Sequence, residues 1–342
     1  MKNRIVGLDY LRGLMAFAIM IYHYFSWIYG SFDASSFWGR IGIYGVAIFY
    51  ILSGLTLYLV YENNFFKKGI WYYIKRRVLR IHPLLILTTI LTIILLRNPN
   101  LFVTNTRAIN SLFLNLTGLF GFVDPRRYIA TGAWSIGNEL FFYSIFPLVI
   151  FLRNIDKRLL YACFCLTLFI GIYFAFYIID VEQVLSKNWE FYINPFNQLF
   201  LFIGGILIAD IFRNKPMNNF IYGLGAIVVL LLFIFFPISG DRVVITAGMY
   251  RLVFSLLSFI LVISAFKLEF NLGNFFSPLL NHLGNISYTI YLVHPIIYYT
   301  LKKYELLFEN ELASLFLCLV ATMILSSLVY RFYERPFIKS FR

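Results

Sequence analysis

Ionisable side chains inside a bilayer cost about 2.5 to 3.5 kcal/mol each on insertion scales, so those that fall within long apolar runs mark where chemistry is to be sought. His23, Glu139 and His294 lie deep in such runs, whereas Asp9, Asp210 and Glu334 stand at run ends and His82 and His282 lie close to one end. An imidazole hydrogen-bonded to a carboxylate works as a general base near neutral pH, because its ordinary pKa is about 6.5. His23 with Glu139 is the expected dyad, and His294 is the second candidate partner. Arg12 precedes His23 by eleven residues, which at about 100° and 1.5 Å per residue puts both on one helix face about 16 Å apart. Asp9, three residues before Arg12, is placed to pair with it. Lys75, Arg76, Arg77 and Arg80 gather four cations ahead of Pro83, with Arg77 and Arg80 on one helix face. Arginine's planar fork suits phosphate oxygens. Juxtamembrane basic runs ordinarily set topology and touch anionic lipid; the alignment with Arg12 favours a phosphate-bearing ligand instead.

The elements that must position these groups follow from composition. The chain has 342 residues, 61% apolar and 13% charged, against about 45–50% and 25% in soluble domains. Apolar runs long enough to cross a roughly 30 Å hydrocarbon layer recur throughout. An all-α, polytopic membrane bundle of about ten transmembrane helices is predicted, with spans near 9–28, 40–61, 80–96, 133–152, 158–179, 193–212, 217–237, 247–267, 280–301 and 312–333. They leave no room for a separate soluble domain, so residues 1–342 are expected to form one membrane domain. Lys and Arg outside the spans fall on the N-terminal side about twice as often as on the other, which puts both termini in the cytoplasm. The net charge of +13 is thereby explained by the bilayer, and no nucleic-acid motif accompanies it. Cys163, Cys165 and Cys318 fall inside apolar runs without disulfide or zinc spacing, and no metal site is expected. Lys2 and Arg4 precede an apolar stretch as in a signal peptide, but that stretch is long and interrupted by Arg12 and His23, so it reads as a retained first helix.

Other features carry less chemistry. The largest external loop, 97–132, contains an apolar stretch, Ile109 to Val123, suited to lie in the interface or dip inward. Gly42, Gly45, Ser53, Gly54, Gly204 and Gly205 are expected to permit close helix contact. Arg251, near the outer end of its span, either snorkels or faces the external mouth.

Six motifs in order give the chain a family likeness: Leu8-Asp9-Tyr10-Leu11-Arg12-Gly13 with His23 beyond it, Gly45 to Gly54, Arg76 to Pro83, Trp134-Ser135-Ile136-Gly137-Asn138-Glu139, Gly284 to His294, and Tyr333-Glu334-Arg335-Pro336. Together they resemble the acyltransferase 3 family of bacterial integral-membrane O-acyltransferases along nearly the whole chain. The resemblance implies transfer of an acyl group, usually acetyl, from cytoplasmic acyl-CoA to a hydroxyl of an extracytoplasmic surface polysaccharide or lipid-linked glycan, in the bacterial cytoplasmic (inner) membrane. Some members carry an added esterase-like domain, and none is expected within residues 1–342. Expected partners are acyl-CoA, a glycan acceptor and membrane lipid.

On that resemblance Lys75, Arg76, Arg77, Arg80 and Arg12 are expected to bind the phosphates of acetyl-CoA, and His23, held by Glu139, to deprotonate the acceptor hydroxyl. His294 and Asn138 join them as catalytic candidates, and Ser135, Tyr291 and Arg251 as substrate-binding ones. Asn138, Ser135 or Tyr291 is the expected oxyanion donor. Direct transfer and an acyl-enzyme route both remain open. The rival reading is a proton-coupled transporter or flippase in which the same buried groups relay protons.

Overall fold

The computed structural model describes residues 5–62, 65–269 and 272–339. Lys2, Arg4 and Arg342 lie outside the described residues, as does the side chain of Lys67. Among the described residues fifteen α-helices run in order: α1 (Val6–Ile28), α2 (Phe37–Tyr61), α3 (Phe65–Leu96), α4 (Leu101–Thr104), α5 (Thr106–Thr117), α6 (Phe120–Val123), α7 (Ala133–Ile155), α8 (Lys157–Tyr173), α9 (Trp189–Tyr192), α10 (Pro195–Phe212), α11 (Asn219–Phe235), α12 (Gly248–Lys267), α13 (Gly273–Lys303), α14 (Glu311–Val329) and α15 (Arg335–Lys339). No strand occurs among the described residues. The chain is an all-helical, polytopic membrane protein.

Eight helices among the described residues are long and apolar enough to cross a bilayer. The other two expected spans are helical but differ in kind. α11 is 17 residues long. α13 is 31 residues long and carries Ser287, Thr289 and His294, all buried. A helix enclosed by other helices need not be apolar, provided its polar groups find partners. Thr289 donates to Glu334 Oε2 at 2.6 Å, and Ser287 to the Gly284 carbonyl at 3.0 Å.

Small residues let the central helices touch backbone to backbone. A methyl group on Gly13 would collide with the backbone of Leu283 and Gly284, and one on Gly54 or Gly205 with the carbonyl of Phe202 or Ile51. The pairs α1 with α13 and α2 with α10 thus form the tightly packed centre, while α8, α11 and α14 bury few of their side chains.

The basic run ahead of Pro83 is helical, as the shared face of Arg77 and Arg80 requires. α3 begins at Phe65, bends at Gly69 (φ 78°) and continues to Leu96, so Lys75 to Arg80 sit on one continuous helix. Near them, α2, α7 and α10 are joined by ion pairs. Arg153 contacts Asp210 Oδ1 at 2.7 Å and Glu62 at 3.6 Å, Lys157 reaches Asp210 Oδ2 at 3.6 Å, and Arg213 pairs with Glu62. Tyr58 donates to Asp210 as well.

The 97–132 segment dips inward. α5 runs back along α3 until the Thr117 carbonyl meets His82 Nε2 at 3.1 Å. The chain reverses at Gly118, whose φ of 75° favours glycine. A Cβ there would also press on Leu140 and His82. The return leg lays Gly121 against the backbone of Gly137. Asn115, fully buried, fastens the two legs: its amide donates to the carbonyls of Ser111 and Arg127 and its oxygen accepts from Ile129 N–H.

Candidate active site

Polar side chains from α1, α2, α3, α7 and α13 form a series of layers through the bundle. At the layer nearest the N-terminal end of α1, Arg12 is 3.6 Å from Asp9 and 3.5 Å from Thr56 Oγ1. Arg77 lies over the rings of Tyr61 and Tyr143, at 5.6 and 5.9 Å, and its buried Nε has no hydrogen-bond partner. In the next layer Ser53 bonds Tyr143 at 2.7 Å, and Tyr143 donates to Glu139 Oε2 at 3.1 Å. Asn138 then donates to Tyr50 at 3.1 Å, with its own Oδ1 buried and unpartnered. One level further, Ser135 Oγ and Tyr291 OH are 2.8 Å apart, and both reach the Gly132 carbonyl, at 3.0 and 3.2 Å.

A cavity of about 230 Å³ runs along these layers; Arg12, Arg77, Arg80 and Glu139 line it together with Ser135 and Tyr291. Its walls between the polar groups are apolar, formed by Val46, Phe49 and Leu57.

His294 is one helical turn beyond Tyr291, with the two ring centroids 6.2 Å apart. His23 Nδ1 and His294 Nε2 are 2.8 Å apart. Pro295 has no N–H and so releases a backbone carbonyl of the preceding turn of α13, and beside it His294 Nδ1 turns back to the Ile290 carbonyl at 2.8 Å. That contact determines the tautomers. A carbonyl only accepts, so His294 Nδ1 carries its proton and Nε2 presents a lone pair. His23 Nδ1–H therefore donates to it, and His23 Nε2 carries the remaining lone pair. Trp27 stacks on the His23 ring at 5.0 Å and 5°.

The expected His23–Glu139 dyad is thus corrected. His23 is oriented by His294, while Glu139 bonds Tyr143 within the cavity. The reason is depth. Both residues count about six from a helix end, but α7 starts low: Gly132, just before it, bonds Tyr291, a full turn short of His294.

Among the other sequence candidates, Asn138 stands behind Tyr50 rather than at the cavity wall. Arg76 is drawn aside by Tyr72, whose hydroxyl accepts from it at 3.0 Å, and Lys75 is exposed; neither lines the cavity. Arg251 neither snorkels nor faces the mouth. It is 1% exposed, lies between Tyr44 and Phe200 and donates to Gln198 at 2.8 Å.

Sequence reasoning missed Tyr50, Ser53 and Tyr143. Their signal was spacing: Tyr50 and Ser53 share a face of α2, and Tyr143 is four residues after Glu139. Ser53, expected only to ease packing, lines the cavity. Arg242, which bonds Tyr22 beside His23, lies in a short connection with no periodic signal to reveal it.

Comparison with known proteins bears on this arrangement. O-acetyltransferase OatA of Staphylococcus aureus, in strains NCTC 8325 and COL alike, is 26% identical over 362 aligned residues, covering 96% of this chain and 56% of its own length. The chain therefore spans about half the length of the curated relatives it matches. No solved structure matches. Residues 5–331 match the family described as an acyltransferase domain. That match takes in every layer from Arg12 to His294, and the chain belongs to the acyltransferase 3 family.

Proposed function

We propose that this chain moves an acyl group, acetyl by preference, from acyl-CoA on the cytoplasmic side of the bacterial inner membrane to a hydroxyl of an extracytoplasmic glycan, with both termini in the cytoplasm. One observation carries the reading: a single cavity extends from Arg12, Arg77 and Arg80 to Ser135 and Tyr291, one turn from a base-competent histidine pair. The O-acetyltransferase name of the relatives supports the acetyl preference and the hydroxyl acceptor.

Each part of the cavity has a chemical task in this reading. Arg77 and Arg80, with Arg12, meet the phosphates of the donor as charge-assisted partners. Val46, Phe49 and Leu57 enclose its apolar arm. His23 Nε2 takes the proton of the acceptor hydroxyl as that oxygen attacks the thioester carbonyl, and the Nδ1–H bond to His294 keeps the ring in the required tautomer throughout. The Ser135–Tyr291 hydroxyl pair faces the carbonyl oxygen as its charge grows. The carbon–sulfur bond then breaks and the departing sulfur recovers the proton from His23, so the imidazole is neutral again. Glu139 acts as a positioning residue: it offsets the charge of the arginines and fixes Tyr143 against Ser53.

The test is transfer of radiolabel from acetyl-CoA to a glycan acceptor by the purified protein. Label in the glycan supports the reading. Solute flux without transfer would make the chain a transporter instead, and unaltered surface glycan in a strain bearing His23→Ala would reduce the layers to structural contacts.

A further inference from the structure

On the far side of the segment that closes the donor cavity lies a second cavity of about 460 Å³, lined by Arg97, Lys302, Lys303, Thr131, Tyr299 and Thr92 among others. The two cavities share one wall. Gly132 turns its carbonyl to Ser135 and Tyr291 in the first, and its neighbour Thr131 lines the second. Tyr299 is 5.0 Å from Trp27, which in turn stacks on His23 at 5.0 Å, so the second cavity lies one ring away from the base.

Its charge is one-sided: three cations line it and, among the described residues, no acid does. The excess of Lys and Arg on the opposite side sets the topology of this chain, so these three stand against that bias and topology does not explain them. Lys303 has a structural bond, donating to the Leu95 carbonyl at the end of α3 at 2.8 Å. Lys302 lies 5.9 Å from the Tyr298 ring, and no acid pairs with Arg97 or Lys302 among the described residues. Threonine and tyrosine hydroxyls beside the cations supply the neutral hydrogen bonding that sugars require.

We infer that this cavity is the acceptor subsite and that it receives an oxyanion, a carboxylate or phosphate borne by the acceptor next to the hydroxyl that is acylated. The inference deepens the proposed transfer and rests on it for the identity of the acceptor. The oxyanion belongs either to the sugar chain or to a carrier lipid, and binding probes separate the two sources.

Equilibrium binding to the full chain in nanodiscs at low ionic strength provides the test. The probes are a hexuronate-containing trisaccharide, a neutral trisaccharide and a polyprenyl diphosphate. We expect one of the two anionic probes to bind about tenfold or more tighter than the neutral sugar, which also identifies the source. In the Arg97→Ala/Lys302→Ala double variant that preference disappears while CoA binding is unchanged. The charge-conserving Arg97→Lys/Lys302→Arg variant retains it. Equal binding of all three probes, a preference that survives the alanine variant, or loss of preference in the charge-conserving one overturns the subsite. Failure of the transfer reading looks different: CoA does not bind, whatever the anionic probes do.

Discussion

Two groups of arginines lie near the N-terminal end of α1 and the facing end of α2, and they are held in opposite ways. Arg153 and Arg213 face Glu62 and Asp210, with Tyr58 between them and Lys157 closing the set. Arg77 and Arg80 face no carboxylate at ion-pair distance among the described residues, and Glu139 is the one acid lining the cavity they share with Arg12. The first group joins α2, α7 and α10, and each of its cations, Arg153, Lys157 and Arg213, touches a carboxylate. In the second, Arg12 alone touches one among the described residues, Asp9 at 3.6 Å, and Arg77 and Arg80 keep their charge open to the cavity. Cations in contact with carboxylates act as a clasp; cations held apart from them, in a cavity, are free to meet an anion from outside.

The comparison can be broken or sharpened by substitution. The largest expected effect is at the histidine pair one turn beyond the cavity: His23→Gln should cut acyl transfer by about a hundredfold to ten-thousandfold while leaving the melting temperature in detergent near that of the parent. A variant that simply unfolds would break the distinction between clasp and cavity. In the clasp, Asp210→Asn leaves Lys157 without its carboxylate and Arg153 with Glu62 alone, at 3.6 Å. Removing one partner of a buried pair costs about 3 to 5 kcal/mol, so the denaturation midpoint should fall sharply, with donor affinity following only as protein unfolds.

Next in size is Arg77→Ala with Arg80→Ala. Each lost charge-assisted bond is worth about 1.5 to 3 kcal/mol, so the Kd for CoA should rise by about a hundredfold or more while stability stays close to the parent's. Unchanged CoA affinity would return these arginines to a topological role. Smaller still is Tyr143→Phe, which removes the hydroxyl that links Ser53 to Glu139. A loss of about 0.5 to 1.5 kcal/mol, read as a several-fold fall in kcat at unchanged KM for the donor, would fit a positioning function.

Much of this was legible in the sequence, and the misses share a cause. Long apolar runs and rare intramembrane charges pointed to the bundle and to Arg12, Glu139, His23 and His294, since each violates the cost of placing charge in lipid, and the basic run ahead of Pro83 pointed to Arg77 and Arg80. The register between helices was not legible. Glu139 was matched to His23 by counting from helix ends, and that counting fails because the inward-dipping segment makes α7 begin a turn lower. Arg251 reads like an interfacial cation, but it spreads its charge over Tyr44 and Phe200 and donates to Gln198, contacts made between helices distant in sequence. Arg40 was silent for the same reason: it gives five hydrogen bonds to carbonyls, three of them at the end of α11.

The segment that doubles back at Gly118 has a bearing on how the protein is made. Irregular backbone is tolerated at membrane depth only where protein surrounds it. The partners of this turn include Gly137 and Leu140 of α7, which leave the ribosome after it. While α7 is still unborn the turn has nowhere to hide its amides, so it must wait at the surface and slip between α3 and α7 once both stand in place. Folding of this chain therefore includes an event inside the membrane, later than insertion of the helices that flank the turn, and the wall dividing the two cavities is built only after them.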